Sequence, residues 1–478
     1  MAYTYPGVYI EEVPSGVRPI EGATTSTAAF IGQTGEQGSD GTTSAPDKPT
    51  LIFSWSDYVE KFGGILDKGK DPDPMGLAVY TFFLNGGGEA YIVKVDDDAG
   101  YTDAFATLEK IRDISIICLP GKTHASVGDR AIIDAAVNHA VTMQNRMVIV
   151  DIGEKTKLES KSDVPGLSLP SAPFSVTYYP WLEVANPFFA PGDEEDGESV
   201  ADLAAAEANV KAAKEVITGT EATTGTEATQ GAKQKVEDAE EAVENATTET
   251  DLETAKDALQ EAKEDLRKAQ NDLKAAERVR ASFLPPTFTI APSSFAAGMW
   301  AKIDGRRGVW KAPAGVESSL LGVAGLADDV DDKLQGQLNP VGVNCIRRIP
   351  GAGPVIWGSR TLSTLSDPEW RYVPVRRTAN MIEESIYTNI QWAVFEPNDH
   401  RLWSSLRVNI DAFMNGLWRA GAFQGESASD AYFVRCGLGA TMKQDDIDAG
   451  RVIVEVGFAP LKPAEFVIVR IQQKVAQQ

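Results

Sequence analysis

The chain has 478 residues, 43% of them hydrophobic, and a formal net charge of −24. That length supports two or three domains with cores of their own. The charge argues against nucleic acid or an anionic membrane as the main partner, because both are held by basic patches. Cys118, Cys345 and Cys436 lie far apart in apolar surroundings, which reads as buried free thiols of a chain folded in a reducing compartment. No basic stretch followed by an apolar one opens the chain, so no signal peptide is expected. No apolar run reaches membrane-spanning length.

Taken in order, Thr4 to Val13 is extended and strand-like: Pro6 biases Tyr5 toward β geometry, and Val8 and Ile10 alternate with Tyr9 and Glu11. Ala28–Gly32 is a short apolar strand. Leu51–Phe53 is another, followed by a short helix to Phe62 capped by Ser54 or Ser56. Pro74 to Leu84 reads as a helix closed by Asn85-Gly86-Gly87-Gly88. Tyr91–Val95 (strand), Tyr101–Lys110 (helix), Ile114–Leu119 (strand), Asp129–Asn145 (helix) and Arg146–Ile152 (strand) then alternate as an α/β layer with parallel strands. The glycines at 86–88 follow a helix and precede a strand, so they cannot offer a helix N-terminus to a phosphate.

Asp193 to Ala281 differs from its surroundings. It carries 11 basic and 24 acidic residues. Thr218–Thr223 and Thr224–Thr229 both read T-G-T-E-A-T, a weakly structured linker. Helical sequence begins near Ala232, with Val236 and Val243 seven apart. Thr250 and Glu253 make a capping box for a further helix. Its Leu252, Leu259, Leu266 and Leu273 recur every seven residues, each followed three later by alanine. This is a heptad seam that buries little area, in an acidic helical hairpin or bundle inserted in a domain and held out in solvent.

Beyond Pro285-Pro286, Ala297–Gly305 is helical, Val341–Arg347 and Trp370–Arg377 read as strands, and Thr378–Gln391 is helical. His400–Ala420 is an amphipathic helix capped by Asn398 or Asp399, and Tyr432–Cys436 and Val452–Phe458 are strands. The tail Glu465-Phe466-Val467-Ile468-Val469-Arg470-Ile471 is rich in β-branched and aromatic residues and reads as a last strand. Two strand-quality ends leave two readings open: they pair with each other inside one monomer, or each adds to another copy.

Catalysis is not expected. His124, His139 and His400 stand in no metal-ligand spacing, no serine or cysteine sits in a nucleophile elbow, and Asp96-Asp97-Asp98 reads as a solvated turn. No cofactor or metal is implied.

Several long segments carry a resemblance: Trp300 to Gly315, Leu338 to Asn344, Trp357 to Leu362, Val375-Arg376-Arg377, Val394 to Asp399 and Ala459 to Phe466, with Tyr5 to Glu12 and Tyr179-Pro180-Trp181. Together they resemble the contractile tail sheath proteins of phages, phage-tail-like bacteriocins and extracellular or cell-anchored contractile injection systems. The departure is the 193–281 insertion, where other members have a shorter loop. The resemblance implies an α+β and α/β multidomain chain. Residues 1–30 with 340–478 would form an inner mixed-sheet domain, 31–192 with 282–339 an outer α/β domain, and 193–281 an exposed insertion. It implies terminal arms exchanged as strands between copies. Tyr5, Val8, Tyr9, Ile10 and Glu11 would contribute at one end. Phe466, Val467, Ile468, Val469, Arg470 and Ile471 would contribute at the other. Pro14, Gly16 and Pro463 would be hinges. The implied partners are further copies in hexameric rings, an inner tube protein, a baseplate, a terminator or cap, and a sheath-recycling AAA+ ATPase or none, with no nucleic acid and no membrane insertion. Assembly in the bacterial cytoplasm follows from the same resemblance. A passive shell or surface-layer protein is the alternative.

Overall fold

The computed structural model describes residues 18–34, 48–65, 73–186, 208–209, 211–217, 219–220, 229–245, 249–282, 287–466 and 468. The chain divides into two compact units, Met1–Leu182 with Ile290–Gln478, and Glu183–Thr289.

In chain order the first stretch holds β1 (Ala28–Gly32), β2 (Thr50–Ile52), α1 (Trp55–Phe62), α2 (Pro74–Leu84), β3 (Ala90–Lys94), α3 (Gly100–Leu108), β4 (Ile116–Cys118), α4 (Val127–Met143), β5 (Met147–Val150), β6 (Ser175–Tyr179) and β7 (Leu182–Ala185). Then come β8 (Gly219–Thr220), β9 (Thr229–Gln230), α5 (Ala232–Glu244), α6 (Glu249–Ser282) and β10 (Thr287–Ile290). The chain continues with α7 (Ser293–Arg307), β11 (Val323–Leu326), α8 (Asp332–Leu338), β12 (Val343–Ile349), β13 (Gly353–Ile356), α9 (Val373–Asn389), α10 (His400–Arg419), α11 (Ala428–Ala431), β14 (Tyr432–Cys436), α12 (Gln444–Asp448) and β15 (Val454–Phe458).

An eight-stranded sheet in the order β13-β12-β6-β5-β4-β1-β3-β2 forms the centre of the first unit. Strands β3 to β12 of that order run parallel, and β2 and β13 are antiparallel edges. Parallel strands are covered on both faces, which is why β1, β4 and β5 are unbroken buried apolar runs. Helices α3 and α4 bury Phe105, Leu108, Ile133 and Val137 against one face with Ile117 and Val148. On α2 and α7, Phe82, Phe295 and Trp300 are fully buried, and the two helices lie against each other. A Cβ at Gly298 would stand 2.5 Å from the Phe82 carbonyl oxygen, so only glycine permits this approach.

Three expectations are corrected here. Trp370–Arg377 is not a strand: Pro368–Trp370 is a 3-10 turn and α9 starts at Val373. Pro374 sits in the first helical turn, where its missing N–H costs nothing, and the arginines that follow find buried partners the sequence does not show. The α/β sheet also continues past position 340, because β12 pairs with β6 through Val343, Asn344 and Cys345. The T-G-T-E-A-T repeat contributes to a strand pair, with Gly219 and Thr220 of its first copy opposite Gln230 and Thr229, where its second copy ends.

In the second unit, Leu252, Ala255, Leu259, Ala262, Leu266, Ala269, Leu273 and Ala276 of α6 are buried or half-buried, while the residues between them are exposed. Ala232, Val236, Ala239 and Val243 of α5 repeat the pattern. The two helices lie against each other, with Lys263 Nζ 3.0 Å from Glu240. α6 begins at Glu249, one residue before Thr250.

Candidate functional site

The described residues nearest the N-terminus run antiparallel along α9. Arg18 stacks its guanidinium 4.8 Å from the Trp392 ring centre. The Glu21 carbonyl accepts from Asn389 Nδ2 at 3.1 Å, the Ala23 N–H donates to Ser385 Oγ at 2.8 Å, and the Thr25 carbonyl accepts from Arg377 Nη2 at 2.7 Å. Arg377 also grips Asp304 through two bonds of 2.9 and 2.5 Å, with both side chains nearly fully buried, and lies over the Trp300 ring at 4.5 Å. Burial pushes the Asp304 carboxyl up against the pull of Arg377. Buried pairs of this kind hold geometry, because removing one partner strands a charge.

The C-terminal end leaves from the same place. Met381, Ile382, Ile410, Met414, Phe423 and Tyr432 form a core cluster, and Ile20, Val454, Val456 and Phe458 pack on it. Strands β14 and β15 pair antiparallel from Tyr432–Phe458 to Cys436–Val454. Among the described residues they form a sheet of two strands only. After β15, the Ala459 carbonyl accepts from Gln424 N at 2.9 Å and Pro460 bridges to Phe423.

The next residues, Leu461 to Phe466, border a cavity of about 900 Å³. There the Glu465 carboxylate accepts from Arg360 Nε at 2.9 Å, from Arg360 Nη2, and from the Tyr372 hydroxyl at 3.2 Å. Arg360 and Glu465 are 10% and 14% exposed. The bond to Glu465 holds the Arg360 guanidinium above its usual range. Pro463 is half-buried beside this clamp, while Phe466 and Ile468 are 75% and 78% exposed and residues 461–466 have no strand partner among the described residues.

Of the arm residues expected from the sequence, Tyr5, Val8, Tyr9, Ile10, Glu11, Pro14, Gly16, Val467, Val469, Arg470 and Ile471 lie outside the described residues. The clamps at Arg377–Asp304 and Arg360–Glu465 are not legible in advance. Their only trace is a charged residue inside an otherwise apolar run, as at Arg376-Arg377 and Glu465.

The polar residues weighed for chemistry are separated. His124 Nδ1 lies 2.8 Å from the Leu167 carbonyl, His139 Nε2 lies 3.1 Å from Arg146 Nη1, and His400 opens α10. Asp96 and Asp98 pair with Lys94 and Lys122, and Asp97 accepts from the Ala99 and Gly100 N–H groups. Asp399 is the α10 cap, accepting from Arg401 N and Leu402 N at 2.8 and 3.2 Å. Among the described residues no group of three or more His, Cys, Asp or Glu is placed to hold a metal, and no helix is long and apolar enough to cross a membrane.

Comparison with known proteins agrees with the motifs. Residues 182–362 match the phage tail sheath protein central domain and residues 365–474 the phage tail sheath C-terminal domain. The tail sheath protein of Vibrio phage KVP40 is 30% identical over 122 residues, 25% of this chain and 18% of that protein. The tail sheath protein of Burkholderia phage BcepMu is 32% identical over 143 residues, 28% of this chain and 30% of that protein. The chain thus spans less than a third of the length of these two relatives. Two solved structures match over nearly the full length of both chains. The sheath of the extracellular contractile injection system PVC in the contracted state covers 99% of each chain at 26% identity and a TM-score of 0.64. The contracted helical sheath of the anti-feeding prophage covers 99% of this chain and 100% of its own at the same identity and TM-score. On the motifs, the two matching domains and these two sheath folds, the chain belongs to the contractile tail sheath protein family.

Proposed function

We propose that this chain is the repeating subunit of a sheath around an inner tube, stacked in hexameric rings and linked by strand exchange. Contraction from an extended state would drive the tube through a target envelope. The observation that carries this reading is the β14–β15 sheet, two-stranded among the described residues, with Ile20 and Phe458, which lead toward the two arms, packed on its core cluster. An isolated pair of strands is marginal, and its edges offer unpaired N–H and C=O groups to an added strand. Tyr5 to Glu11 and Phe466 to Ile471 are the segments with strand-quality sequence, and neighbouring copies would receive them. Each backbone hydrogen bond contributes roughly 0.5–1.5 kcal/mol net, so several per arm hold a lattice while the bodies rotate. Pro14, Gly16 and Pro463 would be the hinges.

Within this reading the inner domain, carrying the arms, faces the tube, and the 193–281 insertion faces solvent. The insertion is a compact unit with its own seam, which supports that assignment. The partners are the tube protein, a baseplate at one end and a terminator at the other. The role is mechanical and needs no cofactor. The matched solved sheaths, in their contracted state, favour this over a passive shell.

The test is to place proline at Val467 and Ile468 together. Proline removes a ladder donor and is tolerated only on edges. The expected outcome is a folded, soluble chain that forms no sheath when co-expressed with its tube protein, as seen by negative-stain microscopy, with Gln477→Pro as the permissive control. Removing Met1 to Val13, or truncating after Pro463, should do the same. Normal contractile cylinders from the double proline variant would refute strand exchange.

A further inference from the structure

The loop between α9 and α10 presents an aromatic ring to solvent at a backbone cost. Phe395 is 103% exposed and has φ +69°, a left-handed conformation that a bulky side chain rarely adopts. The loop around it is bonded at several points. Val394 N donates to the Gln391 carbonyl at 3.2 Å and Glu396 N to the Ala393 carbonyl at 3.3 Å. Asn398 accepts from Trp403 Nε1 at 2.8 Å and donates to the Arg451 carbonyl at 3.2 Å. Val394, 58% exposed, and the exposed carboxylate of Glu396 flank the ring. No ring or cation contact to Phe395 exists among the described residues.

A complementary feature lies at the other end of α10. The cavity of about 900 Å³ has walls of Trp310, Pro340 and Trp357. Five basic side chains border it; Arg307, Arg347 and Arg360 are paired with Glu317, Asp332 and Glu465, and Lys311 and Lys462 add to them. This is a local surplus of positive charge in a chain of net charge −24. An aromatic ring followed by a carboxylate suits it: the ring meets tryptophan, proline and guanidinium faces, and the carboxylate meets the basic rim. Ala420 and Gly421, at the end of α10, line the cavity, whereas Asp399 caps its start. The helix has 20 residues and is therefore about 30 Å long. A chain cannot seat its own Phe395 in its own cavity.

We propose that Phe395 of one copy inserts into the basic cavity at the far end of α10 of a second copy, with Glu396 facing the surplus charge. The two surfaces differ, so the contact is head-to-tail and repeats into a ring or helix rather than closing as a two-fold dimer. The inference rests on the reading of the chain as a self-assembling subunit, but not on strand exchange. It also places the knob against the C-terminal arm base, since Glu465 and Phe466 border the same cavity.

The experiment uses the full-length chain with single cysteines. F395C puts a thiol on the knob, and A314C puts one on the half-buried cavity wall. The native Cys118, Cys345 and Cys436 are buried. Under mild oxidation a mixture of the two variants should give a disulfide-linked dimer that neither gives alone, and the F395C/A314C double variant should give a ladder. Separately, Phe395→Asn should keep or raise Tm, because Asn accepts φ > 0 better than Phe. It should also raise the concentration needed for assembly at least tenfold through loss of a buried ring, and Phe395→Trp should restore assembly. Several results would overturn the proposal. These are wild-type assembly with no ladder from the double variant, self-linking of F395C alone, and assembly of Phe395→Asn at the wild-type threshold. A wild-type chain that does not assemble, together with a double variant that yields no ladder, would refute the sheath reading as well, so the two failures are distinguishable.

Discussion

Replacing Glu465 with Gln should release the base of the C-terminal arm without unfolding the chain. Its carboxylate takes two guanidinium bonds from Arg360 and one from the Tyr372 hydroxyl, with Arg360 and Glu465 only 10% and 14% exposed. A hydrogen bond to a charged group contributes about 1.5–3 kcal/mol, and stranding a buried partner raises the cost to about 3–5 kcal/mol. Here Arg360 keeps the Asn339 carbonyl at 3.2 Å and borders an open cavity, so it can be rehydrated. The lower figure applies, about 2–3 kcal/mol. Residue 465 lies beyond the last described strand, and Pro460 stays bridged to Phe423. The loss should therefore appear as local opening. At tenfold per 1.4 kcal/mol, the released arm base should be populated about 30- to 150-fold more. Exchange in β14 and β15 should change by less than about twofold. Modification of a thiol placed at half-buried Leu461, beside hydrogen exchange with mass spectrometry, reads both on wild type, Glu465→Gln and Glu465→Asp. Unchanged modification at 461 would show that Arg360 does not hold the arm. Equal acceleration along the whole chain would show that the clamp belongs to the global fold.

Two further outcomes follow from the first and second units. Asp151 meets the first turn of α7, accepting from Ser293 N at 3.2 Å, and burial pushes its carboxyl from 3.8 to about 7. Its contribution is present at low pH and lost as pH rises through about 7. Burial, then Arg146, lowers His139 from 6.5 to about 4, so its contribution is present above 6.5 and lost as pH falls through about 4. The two oppose each other across that window. Asp151→Asn should leave stability in urea rising with pH from 4 to 6.5, and His139→Gln should leave it falling; identical slopes in both variants would discount these groups. Deleting 193–281 and joining the ends with a Gly/Ser linker should leave assembly intact, because the seam of α5 and α6 is self-contained. Loss of all cylinders in the deletion variant would make the insertion part of the lattice.

Periodicity and composition alone determined much of this protein. The buried strands from Ala28 to Ile152, the α10 stripe and the Leu/Ala seam of α6 are local patterns. A strand covered on both faces must be apolar throughout, and a helix must repeat its apolar face every 3.6 residues or so. The caps at Ser54 and Asp399 are likewise local chemistry. Tertiary structure decided what lies far apart in sequence. Trp370–Arg377 has the β-branched and aromatic content of a strand, but it is a turn and a helix start. Arg376 and Arg377 can be buried there only because Trp370, Phe174, Asp304 and Trp300 surround them. The join of β12 to β6, the Arg360–Glu465 clamp across 105 positions, and the cavity at one end of α10 with Phe395 at the other have the same origin. Each is a pairing of groups whose separate sequences look ordinary. Burial makes the pairing obligatory, because a charge or a sheet edge taken out of water must find its partner wherever the fold brings one.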